Sequence, residues 1–158
     1  MKKRCLSLLA VVAMLVSLCG VSASAADDQP MIDGSYLTHE EESIGYAIPV
    51  SRGEHLMTGY SKSTRLGAGI LYAGGTTIAA HECEEVGVAV IVERAVQGDT
   101  AWSFYDSWQV VNNNATRAAS GVRMEVEGEY YYRVRCTHWA DGDVSSSETD
   151  GVFIESPW

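Results

Sequence analysis

The chain has 158 residues, with 21 acidic against 11 basic side chains and a formal charge of −10 at neutral pH. Nucleic acids and anionic membrane surfaces bind positive patches, so this charge argues against both as partners. The length suits one folded domain, since domains most often have about 100 to 150 residues.

The first 25 residues have the layout of a secretory signal peptide. Basic residues at 2–4 precede an apolar run at 6–16, and small residues at 23–25 provide a cleavage signal. The run is too short for a stable membrane span. We therefore expect a secreted, extracellular protein with no membrane span that begins near Ala26. Three of the 11 basic residues and none of the 21 acidic ones would be removed, which leaves a formal charge of −13.

Two segments are expected after the signal peptide. Residues 26–49 are rich in aspartate and glutamate, and their few apolar residues follow no pattern. Such a composition predicts a flexible acidic leader. Residues 50–158 are expected to form the folded domain. The large negative charge disfavours self-association and predicts a monomer.

From residue 67 onward, apolar and polar residues alternate in short runs, which is typical of strands. The clearest run is 86–93, in which every even position is a β-branched valine. Gly74-Gly75 and Asn112-Asn113-Asn114 are expected to break strands, and a polar loop is expected at 141–150. Further strands are predicted at 102–111, 122–126, 130–138 and 152–155. The pattern predicts an all-β fold, an antiparallel β-sandwich of about seven strands that is immunoglobulin- or fibronectin-III-like.

Two cysteines, Cys83 and Cys136, remain after the signal peptide. In an exported chain, a pair of cysteines predicts one disulfide. The bridge would contribute roughly 4 kcal/mol by restricting the unfolded chain. The alternative is a pair of free buried thiols, because cysteine also behaves as a small apolar residue.

Three segments in a fixed order carry a resemblance to a known family. They are SRGEHL followed by GYSK in 51–62, GTTIAA followed by EVGVAV and VER in 75–94, and YYYRVRCTH followed by TDGV in 130–152. Over roughly residues 50–154 this order resembles domain-of-unknown-function family 6147, small exported proteins of Gram-positive bacteria. The family has no assigned activity, so the resemblance implies no functional residue. The last segment also resembles the penultimate strand of fibronectin type III domains, which bears on fold alone.

Two clusters of reactive side chains have both a chemical and a structural interpretation. His81 and the acidic residues of 82–85 lie next to Cys83 in the sequence. Their chemical interpretation is a metal site or a pair of carboxylates for acid–base catalysis. Because consecutive strand residues point to opposite faces, a charged turn is favoured and no metal site is predicted. His138 lies two positions after Cys136, so the pair could be a nucleophile and its base. No third group that would orient the histidine is indicated, and a histidine at a strand end is favoured.

Two further segments are candidates for ligand binding. The loop Asp141–Asp150 offers several oxygen donors for calcium, although it lacks the glycine and the final acid of an EF-hand. Tyr131 and Trp139 are the aromatic residues that we expect to be exposed as a platform for sugars or cell-wall polymers. The alternative for both is packing between strands.

The sequence therefore favours a non-enzymatic secreted domain that binds an extracellular partner, either a glycan or a protein, at the cell envelope or a host surface. It indicates no cofactor and no catalytic residue. The alternative function is a small extracellular hydrolase or metal-dependent enzyme that uses the acidic residues near 82–85 or 141–150.

Overall fold

The computed structural model describes residues 29–48 and 53–158, so the predicted signal peptide lies outside the described residues. Within these ranges, no helix is long and apolar enough to cross a membrane. The described residues form nine strands: β1 (Met31–Ile32), β2 (Ser35–Thr38), β3 (Glu42–Tyr46), β4 (Leu56–Gly67), β5 (Ile70–Ala95), β6 (Ser103–Glu125), β7 (Tyr130–Ala140), β8 (Asp143–Glu148) and β9 (Gly151–Ile154).

The strands form one mixed sheet that curls into a half-barrel. Its main path runs β1-β2-β9-β7-β5-β4-β3, with β6 paired to β5 and β8 paired to β7. The pairing of β2 with β9 is parallel. The all-β prediction is confirmed, but the sheet is not purely antiparallel and has nine strands rather than about seven.

Strand β5 organises the sheet because it has neighbours on both sides along most of its 26 residues. Its first half pairs with β4, its second half pairs with β7, and β6 follows both halves. Gly74-Gly75 and the three asparagines at 112–114 were expected to break strands. Instead, all five residues lie within β5 or β6, since pairing along the whole β5–β6 hairpin outweighs their local preference for turns.

A register shift divides β5 into its two halves. From Ile78 to Cys83 the chain advances five positions on β5, whereas β6 advances only two, from Arg117 to Ala115. The extra residues form a β-bulge, which bends a strand and re-aims its side chains. Beyond the bulge β5 pairs with β7 instead of β4, so the two halves face each other across the core.

The core lies between these two halves. The predicted valine face is confirmed, since Val86, Val88, Val90 and Val92 are all fully buried. Gly75 in the first half of β5 lies so close to the second half that an added Cβ would overlap Cys136 Sγ and press on Val88. The apolar alternation of 86–92 therefore fixes the inner face, and glycine permits the close approach.

The structure differs from the prediction of a flexible acidic leader. Residues 31–46 form β1, β2 and β3, which are paired within the sheet. Ile32 and Leu37 are buried in a second apolar cluster with Tyr131. A few well-placed apolar residues and cross-strand hydrogen bonds order this segment despite its composition. The loop expected at 141–150 is likewise mostly strand, as β8.

Candidate metal centre

The β5 bulge presents His81 and Cys83 on the same side of the strand. Cys83 is buried, whereas His81 is exposed, so the pair lies between the core and solvent. The Cys83 thiol lies 3.8 Å from His81 Nδ1 and 3.5 Å from its carbonyl oxygen. The charged turn expected here is therefore a bulge that holds together two side chains of types that can bind metals.

His55 joins this pair from the residue that precedes β4. The backbone amides of His55 and Leu56 donate hydrogen bonds of 2.6 and 3.0 Å to Asp143 Oδ2. These bonds, first of all the one from His55, lower the pKa of the Asp143 carboxyl group. Asp143 thus anchors the start of β4 to the start of β8 and fixes the position of His55.

Asp141 provides a carboxylate from the turn between β7 and β8. Its backbone adopts a left-handed conformation with φ of 47°. Its amide donates to the Glu85 carbonyl oxygen at 2.8 Å, and Glu85 N donates to Asp141 Oδ1 at 2.9 Å. The other oxygen, Oδ2, lies 3.9 Å from His55 Nδ1. The turn therefore places one carboxylate oxygen beside His55.

The donor atoms are spaced as metal ligands are. His55 Nδ1 and His81 Nε2 are 3.2 Å apart. One ligand atom from each of His55, His81 and Cys83 lies within 4.8 Å of the other two. Around tetrahedral zinc, ligand atoms about 2.0–2.3 Å from the ion are roughly 3.3–3.7 Å from one another. A small inward shift of these side chains would satisfy that geometry.

The surroundings favour a cation in this cluster. His81 Nδ1 donates a 3.0 Å hydrogen bond to the Glu82 carbonyl oxygen, which places the lone pair of the ring on Nε2, the atom that faces His55. Burial, and after it the charge of Asp141, raise the pKa of the Cys83 thiol. A positive ion would relieve that repulsion and stabilise the thiolate.

The predicted disulfide is not formed, because Cys83 and Cys136 are both free. Cys136 pairs with Val90, seven positions beyond Cys83 on β5. That separation is roughly 23 Å along an extended strand. A disulfide needs Cα atoms within about 7 Å. Cys83 lies at the bulge, whereas Cys136 is packed in the core against Gly75.

The other residues singled out from the sequence have structural partners. Tyr131 was expected to be exposed and is buried, with His39, Trp102 and Phe153 around it. Trp139 is partly exposed, lies across Gly87 and donates to Glu85 Oε1 at 2.6 Å. The two side chains therefore do not form a shared aromatic platform.

The carboxylates of 141–150 do not converge on one calcium position. Asp141 faces Glu85 and His55, Asp143 binds the start of β4, and Asp150 Oδ1 accepts from Tyr36 N at 2.9 Å. Glu148 lies instead 3.9 Å from Arg133 Nη1. Asp141 and Asp143 both contact His55, but Asp150 and Glu148 are directed to other partners, so the oxygens that a calcium site needs are separated.

His138, expected at a strand end, lies near the end of β7 and is fully buried. Its Nδ1 lies 2.9 Å from Thr77 Oγ1, and its Nε2 lies 2.8 Å from Ser147 Oγ. Thr77 Oγ1 donates to the Gly87 carbonyl oxygen at 2.8 Å, so Nδ1 of the ring donates to Thr77. Burial lowers the pKa of His138 to about 4, which keeps the imidazole neutral in the core.

Sequence reasoning missed His55 and did not connect Asp141 with His81 and Cys83. His55 and Asp141 are far from His81 and Cys83 in the chain, and only the strand register brings them together. No family model, no curated protein and no solved structure matches this chain.

Proposed function

We propose that this protein is an exported, non-enzymatic β domain that binds one transition-metal ion, with Zn²⁺ as the best-fitting ion. His55, His81 and Cys83 are the proposed ligands, and Asp141 is the proposed fourth. The observation that carries the proposal is the convergence of two imidazoles and a thiol within 4.8 Å. Asp141 Oδ2 lies 3.9 Å from His55 Nδ1 and would have to move towards the other three donors to complete a tetrahedral set.

The chemistry of the donors supports zinc over hard cations. Thiolate and imidazole are ligands that zinc and copper prefer, whereas calcium and magnesium prefer oxygen. Zinc accepts a mixture of sulfur, nitrogen and carboxylate oxygen in tetrahedral geometry. Cu²⁺ would compete for the same site, as it does at most such donor sets.

A stabilising role is favoured over catalysis. The ligands come from the start of β4, the β5 bulge and the β7–β8 turn, so one ion would link three parts of the sheet. With Asp141 bound, four protein ligands close the coordination shell and leave no position for substrate. Structural zinc sites have this closed arrangement, whereas catalytic sites keep one position for water.

A metal-dependent hydrolase is the second candidate function. Asp141 Oδ1 already accepts a hydrogen bond from Glu85 N, and Oδ2 lies farther from His55 than the two imidazoles lie from each other. If water took the fourth position, Asp141 would be placed as a base. Zinc-loaded protein would then hydrolyse 4-nitrophenyl acetate faster than free zinc does, whereas the binding proposal expects no such increase.

The proposal also includes the expectations from the sequence about export, oligomeric state, fold and family. The layout of residues 1–25 supports export, and the strongly acidic composition supports a monomer that does not bind nucleic acid. A fibronectin-III-like sandwich is supported by the two halves of β5, which face each other at Gly75 and Val88. Membership of family 6147 and an extracellular partner, glycan or protein, remain proposals.

Zinc titration of the protein tests the function directly. We expect one Zn²⁺ per chain and a rise in the melting temperature, since an ion at 100 times its dissociation constant stabilises by about 2.7 kcal/mol. His55→Ala and Cys83→Ser should each lose this rise. His39→Ala and Cys136→Ala are matched controls away from the cluster and should keep it. Equal zinc affinity in all four variants would refute the proposed site.

A further inference from the structure

The solvent face of β4, the first half of β5 and the second half of β6 is organised in cross-strand rows. Directly paired residues of neighbouring strands place their side chains on the same face. Three adjacent rows cross these strands: Tyr60–Thr76–Ala119, Lys62–Gly74–Gly121 and Thr64–Tyr72–Arg123. The next row, on the side of Tyr60, ends in Arg117.

The middle row makes this face concave because two of its three residues are glycines. The resulting groove has a volume of about 500 Å³. The Tyr72 phenol lies against Gly121, where an added Cβ would overlap it. The opposite face of the same strands carries the fully buried Leu71, Ala73 and Ala118, so a packed core supports the groove from behind.

The groove concentrates positive charge in a strongly acidic protein. Lys62 is paired with Glu42 at 2.6 Å. Arg117, which lines the groove, and Arg123 at its end are exposed and have no carboxylate within 4.0 Å among residues 29–48 and 53–158. Two unpaired guanidinium groups on one face, in a chain of charge −10, are complementary to an anion.

Aromatic rings border the same groove. Tyr60 and Tyr72 line it, and Tyr46 on β3 lies 6.3 Å from Tyr60 between ring centroids. Tyr46 is 70% exposed, so the aromatic surface continues beyond the groove towards solvent. Tyrosine offers a flat apolar ring and a hydroxyl group, which suits a ligand with both apolar C–H faces and hydroxyl groups.

We propose that this groove binds an acidic glycan, a sugar chain that carries carboxylate or phosphate groups. The tyrosine rings would pack against sugar rings, and Arg117 and Arg123 would hold the anionic groups by charge-assisted hydrogen bonds. Nucleic acid fits less well, because it carries a phosphate on every nucleotide and the acidic remainder of the chain would repel it more strongly than a glycan with more widely spaced charges. Tyr72 lies over the glycine row, so a bound sugar ring would pack against its phenol rather than against bare backbone.

Binding to acidic and neutral sugars tests this proposal. The probes are oligogalacturonate, a teichoic-acid-type polyol phosphate with sugar substituents, the uncharged glucan of matched length, and linear polyphosphate. We expect the protein to bind at least one acidic glycan at least about tenfold more tightly than the glucan and the polyphosphate. The carboxylate and phosphate probes distinguish the two possible anionic groups.

Variants assign the binding to the groove. Arg117→Gln and Arg123→Gln should each weaken binding by about tenfold, and Tyr60→Ala should weaken it while leaving the melting temperature nearly unchanged. Arg135→Gln removes the same charge from β7 and should retain full binding. Equal binding of polyphosphate, binding that survives in the arginine variants, or no binding to either acidic glycan would overturn the proposal.

Discussion

The imidazole of His55 lies 3.2 Å from that of His81, although 26 positions separate the two residues in the chain. Leu56 pairs with Ala79, and Ala80 N donates to the His55 carbonyl oxygen at 2.7 Å. The end of the β4–β5 ladder therefore fixes both histidines before any metal binds. A preformed pair of ligands reduces the conformational entropy that metal binding would otherwise cost.

The affinity for zinc should fall steeply when the pH is lowered. The raised pKa of the Cys83 thiol means that zinc must displace its proton near neutral pH. The apparent dissociation constant for zinc should therefore rise about tenfold when the pH is lowered by one unit from 8 to 7. Competition with a chromogenic chelator at each pH measures this change.

The serine variant of the same residue provides the comparison. Cys83→Ser should bind zinc more weakly and show a shallower dependence on pH between 8 and 7, since no thiol proton is released. Parallel pH dependences for the original protein and the variant would mean that Cys83 does not bind the ion as a thiolate.

The valine face and the metal centre show which features the sequence can reveal. Val86 to Val92 alternate strictly, so the side chains that face the core follow from the period of a strand. The cluster of His55, Cys83 and Asp141 depends on the bulge after Ile78 and on which strands become neighbours. Neither is encoded in a local pattern, because the bulge reflects pairing with β6.

The contact between Gly75 and Cys136 should be sensitive to one added methyl group. In Gly75→Ala the new Cβ would overlap Cys136 Sγ and press on Val88, so we expect a loss of about 1–3 kcal/mol of stability. Cys136→Ala in the same chain should recover part of this loss by removing the sulfur. Urea unfolding of the two single variants and the double variant measures the coupling. Additive effects would show that the two positions do not touch.

Arg133 should be the charged residue whose loss destabilises the fold most. Its guanidinium is 1% exposed and lies 2.8 Å from Glu93 Oε2, 3.2 Å from Asp33 Oδ2 and over the Trp102 ring at 4.8 Å. Removing one partner of a buried pair costs about 3–5 kcal/mol. Arg133→Ala should approach that range in chemical denaturation. Arg123→Ala, an exposed arginine, should change stability by no more than about 0.5 kcal/mol.

Arg133 also helps to order the first part of the acidic segment, at β1 and β2. Its Nη1 donates to the Asp33 carbonyl oxygen at 2.9 Å and to Ser35 Oγ at 3.0 Å. The composition of this segment predicted flexibility because Asp33 adds to its negative charge. Composition does not reveal that the buried Arg133 on β7 binds Asp33. Arg133→Ala should therefore increase amide hydrogen exchange in β1 and β2 more than in β5.

His138 should make the protein sensitive to acid. Its pKa is about 4 in the folded state because of burial, against an ordinary value of 6.5 in the unfolded chain. The unfolded chain therefore takes up the proton first, and the stability present above pH 6.5 is lost as the pH falls towards 4. The loss from this residue between pH 7 and pH 5 should be about 2 kcal/mol. Urea unfolding at the two pH values measures it, with His39→Gln as a control that removes an exposed histidine and should keep the full dependence.

His138→Gln retains a donor and an acceptor for Thr77 and Ser147 but cannot titrate, so its stability should change much less between pH 7 and pH 5. A variant that loses as much stability as the original protein would place the acid sensitivity in other groups.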